Sequence, residues 1–119
     1  MSLLLQHPFY SNGFRGGTLE LQSELGGLFE RHEVALYLNG HDHDLQHVSP
    51  KSRRTHFVTS GAGSKTGRGF GTADTLFEHD AHGFVAVTVG KGGERNATAV
   101  QFYSAGESPS KLLYSFHLS

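Results

Sequence analysis

A chain of 119 residues can bury one hydrophobic core but not two independent ones. Ten Lys and Arg against eleven Asp and Glu leave a formal net charge of -1, which excludes a basic field able to attract nucleic acid. The absence of Cys excludes disulfides, thiolate catalysis and Cys-based zinc sites, while nine Phe and four Tyr argue for a packed interior rather than a disordered tail.

Taken in chain order, Met1 to Leu5 has no basic stretch and only three apolar residues in a row before Gln6, so neither a signal peptide nor a membrane span is expected there. Leu3 to Gln6 reads instead as a short buried strand that stops before His7-Pro8, where the extended region is favoured. The Gly- and Asn-rich stretch from Ser11 to Gly17 is a loop. Thr18 then caps a helix on which Leu21, Leu25, Leu28 and Phe29 share one face, and which reaches His32. Gly26 and Gly27 weaken it by about 1 kcal/mol each relative to Ala, so the helix depends on packing, or the small residues admit close contact with a sheet.

Val34 to Leu38 is nearly continuous in apolar residues, the pattern of a strand covered on both faces. The resulting strand, helix, strand unit places Gly40-His41-Asp42-His43 beyond the carboxyl end of its second strand, where ligands bind in open sheets. Gln6 and His7 reach the same edge if the unit is parallel and right-handed. From Leu45 onward the pattern changes to short strands at Leu45 to Val48, His56 to Ser60, Gly83 to Val89, Ala97 to Ser104 and Lys111 to His117. Gly90 to Gly93 supplies a hairpin turn, and Gly61 to Gly71, with five glycines, reads as a long loop. The fold class is therefore α+β or α/β: a strand-helix-strand unit followed by antiparallel strands.

His41 and His43 lie two apart on a turn after a buried strand, a spacing that lets both imidazoles serve one metal ion if the backbone turns at Asp42. A polar turn with two solvated histidines is the competing reading. The run from Val34 through Gly40-His41-Asp42-His43-Asp44-Leu45-Gln46-His47 resembles the purple acid phosphatase branch of the calcineurin-like metallophosphoesterases. So do Gln6 to Ser11, Phe57 to Ser64 and the Gly83-Phe84-Val85 strand, in the family's order across the chain.

That resemblance implies that residues 1–119 are the C-terminal part of a metallophosphoesterase catalytic domain, half of a β-sandwich flanked by helices. It implies a two-metal site, iron with zinc, manganese or iron, in which His41 would bind the second metal and His43 the first, and hydrolysis of a phosphate monoester by metal-activated water. Two departures stand out. Where the family has a ligand histidine, this sequence has Gln6, and His7 can replace it only if the strand end is distorted, because a one-residue shift reverses side-chain direction. Where the family often places a histidine that protonates the leaving group, this sequence has Arg15, a guanidinium able to contact phosphate or to lie solvated in its loop.

The aspartates, asparagine, histidine and tyrosine of the family's N-terminal half are absent, so that missing half is an expected partner, and the chain alone is expected to bind metal weakly and to be nearly inactive. Secretory or lysosomal and vacuolar compartments are what the family implies for location. A non-catalytic module that keeps the fold without metal chemistry is the alternative function, and a cupin-like barrel is disfavoured by the helix. An exposed sheet edge and an uncovered apolar face predict association with a second copy.

Smaller features are read as structural. Gly61 to Thr66 lacks the order of a P-loop and is expected to pack beneath the His41 loop, with Ser60 and Gly61 offering backbone groups. Lys51 to Arg54 reads as a solvated basic tip, and His79, Asp80 and His82 as a polar loop before Gly83. Asn96-Ala97-Thr98 fits a glycosylation acceptor at a strand start. His32, His47, His56 and His117 are element-end or sheet-face residues, with His47 near enough to the motif to influence metal or substrate.

Overall fold

The computed structural model describes residues 2–5, 19–40, 43–51, 53–62, 74–90, 98–106 and 108–118, and for residues 3, 5 and 19–24 only the backbone. The first elements are strand β1 (Ser2–Leu5), helix α1 (Leu19–Arg31) and strand β2 (Leu36–Asn39). They are followed by β3 (Leu45–Val48), β4 (His56–Ser60), β5 (Thr75–His79), β6 (Gly83–Thr88), β7 (Ala99–Ser104) and β8 (Leu112–His117). The expected strand-helix-strand unit is present, and β1 runs parallel to β2. The expected caps and loops at Thr18, Gly63 to Gly71 and Asn96-Ala97 lie outside the described residues.

The strands form two sheets. Five make the order β1-β2-β4-β3-β5, in which β1, β2 and β4 are parallel and β3 runs antiparallel to both β4 and β5; β6-β7-β8 is an antiparallel meander. Alternation decides which side chains meet between the sheets, because successive residues of a strand face opposite ways. Leu36, Leu38, Leu45, Val58 and Phe77 from the larger sheet pack against Val85, Val87, Val100, Phe102, Tyr114 and Phe116 of the meander. The opposite face of the larger sheet presents Tyr37, Phe57 and Val48 to Phe29 and Leu25 of α1. Tyr37 is fully buried there, and loss of water pushes its hydroxyl pKa up to about 12.

The helix ends on a Schellman turn. The Val34 amide donates to the Phe29 carbonyl at 3.0 Å and the Glu33 amide to the Glu30 carbonyl at 3.4 Å, with Glu33 in the left-handed region at φ 51°. Phe29 and Val34 are both buried in the cluster under the helix, which supplies the apolar contact of that motif. The small residue at Gly26 admits a side chain from the segment after β3. A Cβ there would lie 2.6 Å from Nη2 of Arg53, whose Nη1 donates to the Gly26 carbonyl at 3.2 Å and stands 4.0 Å from Glu30. The basic segment is thus corrected in one respect: Lys51 and Arg54 are exposed, but Arg53 folds onto the helix because its guanidinium finds a carbonyl and a carboxylate there.

A second correction concerns His79, which is the last residue of β5 rather than part of a polar loop. Its strand was unexpected because Thr75–His79 has only two strongly apolar residues, Leu76 and Phe77, and Leu76 is exposed. Phe77 holds β5 in place by stacking on Tyr114, with centroids 4.7 Å apart and planes at 6°.

Candidate metal centre

The order of the larger sheet creates a distinctive connection. Strand β4 lies between β2 and β3, so residues 40–44 must bridge the two strands that flank it. Strand neighbours are about 4.8 Å apart, so the bridge covers roughly 10 Å, well within the reach of five residues. Its described residues meet the end of β4 from both sides. Gly40 lies where an added Cβ would come 3.8 Å from the Ser60 carbonyl, and the Gly61 amide donates to the Asp44 carbonyl at 3.0 Å. The expected backbone contribution of the Ser60-Gly61 corner to the loop is therefore present, through Gly61.

Side chains reinforce both ends of this connection. Asn39 Nδ2 donates to the Gly40 carbonyl at 2.8 Å, and Thr59 Oγ1 donates to Asn39 Oδ1 at 3.2 Å. At the other end Gln46 Nε2 lies 2.7 Å from each oxygen of the buried Asp44 carboxylate. Asn39, Thr59, Gln46 and Glu78 sit opposite one another in register, forming one polar row across the sheet. The first three are buried. Glu78 carries an oxygen buried without a hydrogen-bond partner among the described residues, and desolvation, then the charge of Asp80, hold its pKa above the usual carboxylate range.

Of the histidines expected to bind metal, His43 is described: it is half-buried on this connection, one residue before Asp44. His41, His7 and the phosphate-contact candidate Arg15 lie outside the described residues, as does Gln6. Among the described residues no three His, Cys, Asp or Glu side chains gather closely enough to hold an ion. Neutral imidazoles at residues 41 and 43 have the donor chemistry that zinc and iron accept, so the sequence at this strand end fits part of a metal-binding set.

His47 belongs elsewhere. It is buried between the sheets, where Nδ1 lies 3.0 Å from the Tyr114 hydroxyl and Nε2 lies 2.9 Å from Nδ1 of His56. Desolvation, with a smaller contribution from His56, lowers its pKa to about 3. It is a sheet-face residue of the core, one of the two roles open to it from sequence. What sequence inspection missed is the pairing of Asp44 with Gln46. The signal available was Gln46 itself, a polar residue in the middle of a strand otherwise expected to be buried.

A parallel strand-helix-strand unit, two packed sheets and a histidine-bearing connection at the carboxyl ends of the parallel strands define the class: an α+β fold of the metallophosphoesterase type. No family model matches the chain. It is 40% identical over 101 residues to purple acid phosphatase 4 of Arabidopsis thaliana, covering 82% of this chain and 29% of that protein. It is 42% identical over 86 residues to purple acid phosphatase 17 of the same plant, covering 67% and 25%.

Among solved structures it superimposes on one described as "GAP50 the anchor in the inner membrane complex of Plasmodium" with a TM-score of 0.84 and 24% identity, over 98% of this chain and 36% of that one. It also superimposes on purple acid phosphatase PPD1 from yellow lupin seeds with a TM-score of 0.73 and 16% identity, over 97% and 24%. The chain belongs to the purple acid phosphatase branch of the calcineurin-like metallophosphoesterases. It spans less than a third of the length of the curated relatives it matches. Among the described residues no helix is long and apolar enough to cross a membrane.

Proposed function

We propose that residues 1–119 form part of the catalytic domain of a phosphomonoesterase, supplying His41 and His43 to a two-metal site whose remaining donors lie in the portion of the relatives that this chain does not span. The observation that carries this reading is the attachment of the His43-bearing connection to the end of β4 by the Gly61 to Asp44 hydrogen bond, at the carboxyl edge of three parallel strands. Bound metals, iron with zinc, manganese or iron, would supply Lewis acidity toward phosphate and lower the pKa of water. His41 and His43 would hold the ions as neutral imidazoles; His7 is a further candidate donor, and Arg15 a contact for phosphate oxygens.

The test is a cobalt titration of the chain followed through its histidine ring resonances, with His41→Ala and His43→Ala alongside. Weak binding that shifts these two rings first, and is lost in both variants, supports the assignment. Rings that stay unmoved at millimolar cobalt while the fold is intact remove its chemical basis. A second reading, a module that keeps the fold without metal chemistry, draws on Gln6 at a family ligand position and on the overlap with a structure described as an anchor. Phosphatase assay and metal analysis of the natural protein separate the two: activity with bound metal supports the first, and an inactive, metal-free product the second.

A further inference from the structure

We propose that Asp44 and Gln46 are positioning residues, which, with the Gly61 amide, fix the connection carrying His43 so that its imidazole is set before a metal ion arrives. The proposal rests on the metal-site reading given above and adds residues that do not themselves touch the ion. Its basis is the accounting of a buried polar group. The Asp44 carboxylate is almost wholly removed from water, and such a group is tolerated only where donors are arranged around it. Gln46 provides one: its side-chain nitrogen sits 2.7 Å from both carboxylate oxygens and is itself fully buried.

Geometry then links the pair to the histidine. Gln46 lies on β3, held between Thr59 of β4 and Glu78 of β5, so its amide group has little freedom. Asp44 therefore takes its position from the sheet through its side chain and from the β4 corner through its carbonyl. Two anchors on one residue leave His43, its neighbour in the chain, few orientations. A ligand held this way binds metal without first losing conformational freedom, and removal of such outer partners commonly weakens metal affinity about 10- to 100-fold.

The experiment uses the whole 119-residue chain labelled for NMR, with Gln46→Met, which keeps the side-chain volume but deletes the donor, and Asp44→Asn, which keeps one acceptor oxygen. Two quantities are read: exchange of the Gly61 amide and cobalt affinity at the His43 ring, with the Val58 amide in β4 as the check on folding. Gln46→Met should speed Gly61 exchange and weaken cobalt binding about tenfold, leaving Val58 protected, while Asp44→Asn retains most of both properties. Unchanged Gly61 exchange and cobalt affinity in Gln46→Met overturn the proposal.

If Gln46→Met exposes Val58, Asp44→Leu carries the same comparison with the same two outcomes. Cobalt that fails to reach His43 in the parent chain, while Gly61 still responds to Gln46→Met, sinks the metal-site reading and leaves the anchoring of the connection supported.

Discussion

The imidazole of His47 lies flat on the ring of Phe116, with centroids 3.8 Å apart and planes at 7°, and so joins β3 of one sheet to β8 of the other. The same imidazole has a hydrogen-bond partner at each nitrogen, the Tyr114 hydroxyl and His56. In the neutral ring one nitrogen donates and the other accepts, whereas a protonated ring would offer two donors and a charge in an apolar layer. Among the described residues, the titratable groups facing it are His56 of β4 and Tyr114 of β8, whose own pKa is raised by burial; β5 turns the apolar Phe77 toward it.

Acid should therefore loosen the sandwich. The His47 pKa falls from 6.5 in the unfolded chain to about 3 in the folded one, so between these values the unfolded state binds more protons. The stabilisation is fully present above pH 6.5 and is lost as pH falls toward 3, on the order of 4 kcal/mol over that window. Thermal melts from pH 7 to pH 4 should show a falling midpoint, and His47→Gln, less stable at pH 7, should show a shallower slope. Equal slopes for the two proteins would contradict this assignment.

Glu78 behaves in the opposite sense. Its pKa is raised above 4.5, so the folded chain retains the proton longer than the unfolded chain, and ionisation at neutral pH works against folding. Glu78→Gln should raise the melting temperature by a few degrees at pH 7, and the gain should shrink as pH falls through 4.5 and below, where the carboxyl becomes protonated in both states. A gain that does not change with pH would point to some other cause.

Glu33 occupies the left-handed position of the helix C-terminal turn, at φ 51°, which costs a residue with a Cβ roughly 1 kcal/mol. Glu33→Gly removes that strain while adding backbone freedom to the unfolded chain, so the net gain should be about 0.5 kcal/mol. Urea unfolding with an unchanged m-value measures it. A loss of stability would mean that the carboxylate makes a contact worth more than the strain.

Two glycines should respond oppositely to Ala. Gly27 is exposed on the helix with nothing within 4 Å of a built Cβ, so Gly27→Ala should stabilise by about 0.5–1 kcal/mol. At Gly83 a Cβ would lie 2.5 Å from both the Tyr103 carbonyl oxygen and Leu45 Cδ1. The carbonyl belongs to the paired strand and cannot retreat cheaply, so Gly83→Ala should cost about 2 kcal/mol or more in the same unfolding experiment.

Much of the fold was legible because apolar periodicity and turn residues agreed. The bounds expected for β3 and β4 are those found, and β6 has the expected antiparallel partner in β7, although most of the Gly90 to Gly93 turn lies outside the described residues. Strand β5 escaped because an edge strand of moderate burial needs few apolar residues, and the stacking of Phe77 on Tyr114 that secures it lies 37 positions away in sequence. Arg53 escaped for a related reason: its partners Gly26 and Glu30 are on the helix, and nothing in a run of basic residues indicates which one turns inward. The place of His43 beyond a strand end was legible from the apolar run that precedes it, while His41 lies outside the described residues. The Asp44 and Gln46 pair was not, since Asp44 precedes the strand on a turn, and a strand pattern does not indicate that the side chain at 46 reaches back to it.

Strand β3 is only four residues long, yet it holds the buried imidazole of His47 directly beside Gln46, the partner of Asp44. Adjacent in sequence, they face opposite sides of the sheet: one senses protons in the dry layer, and the other steadies the histidine-bearing connection. Acidification that parts the layers would thus slacken the connection as well, because so short a segment cannot yield at one residue and stand firm at the next.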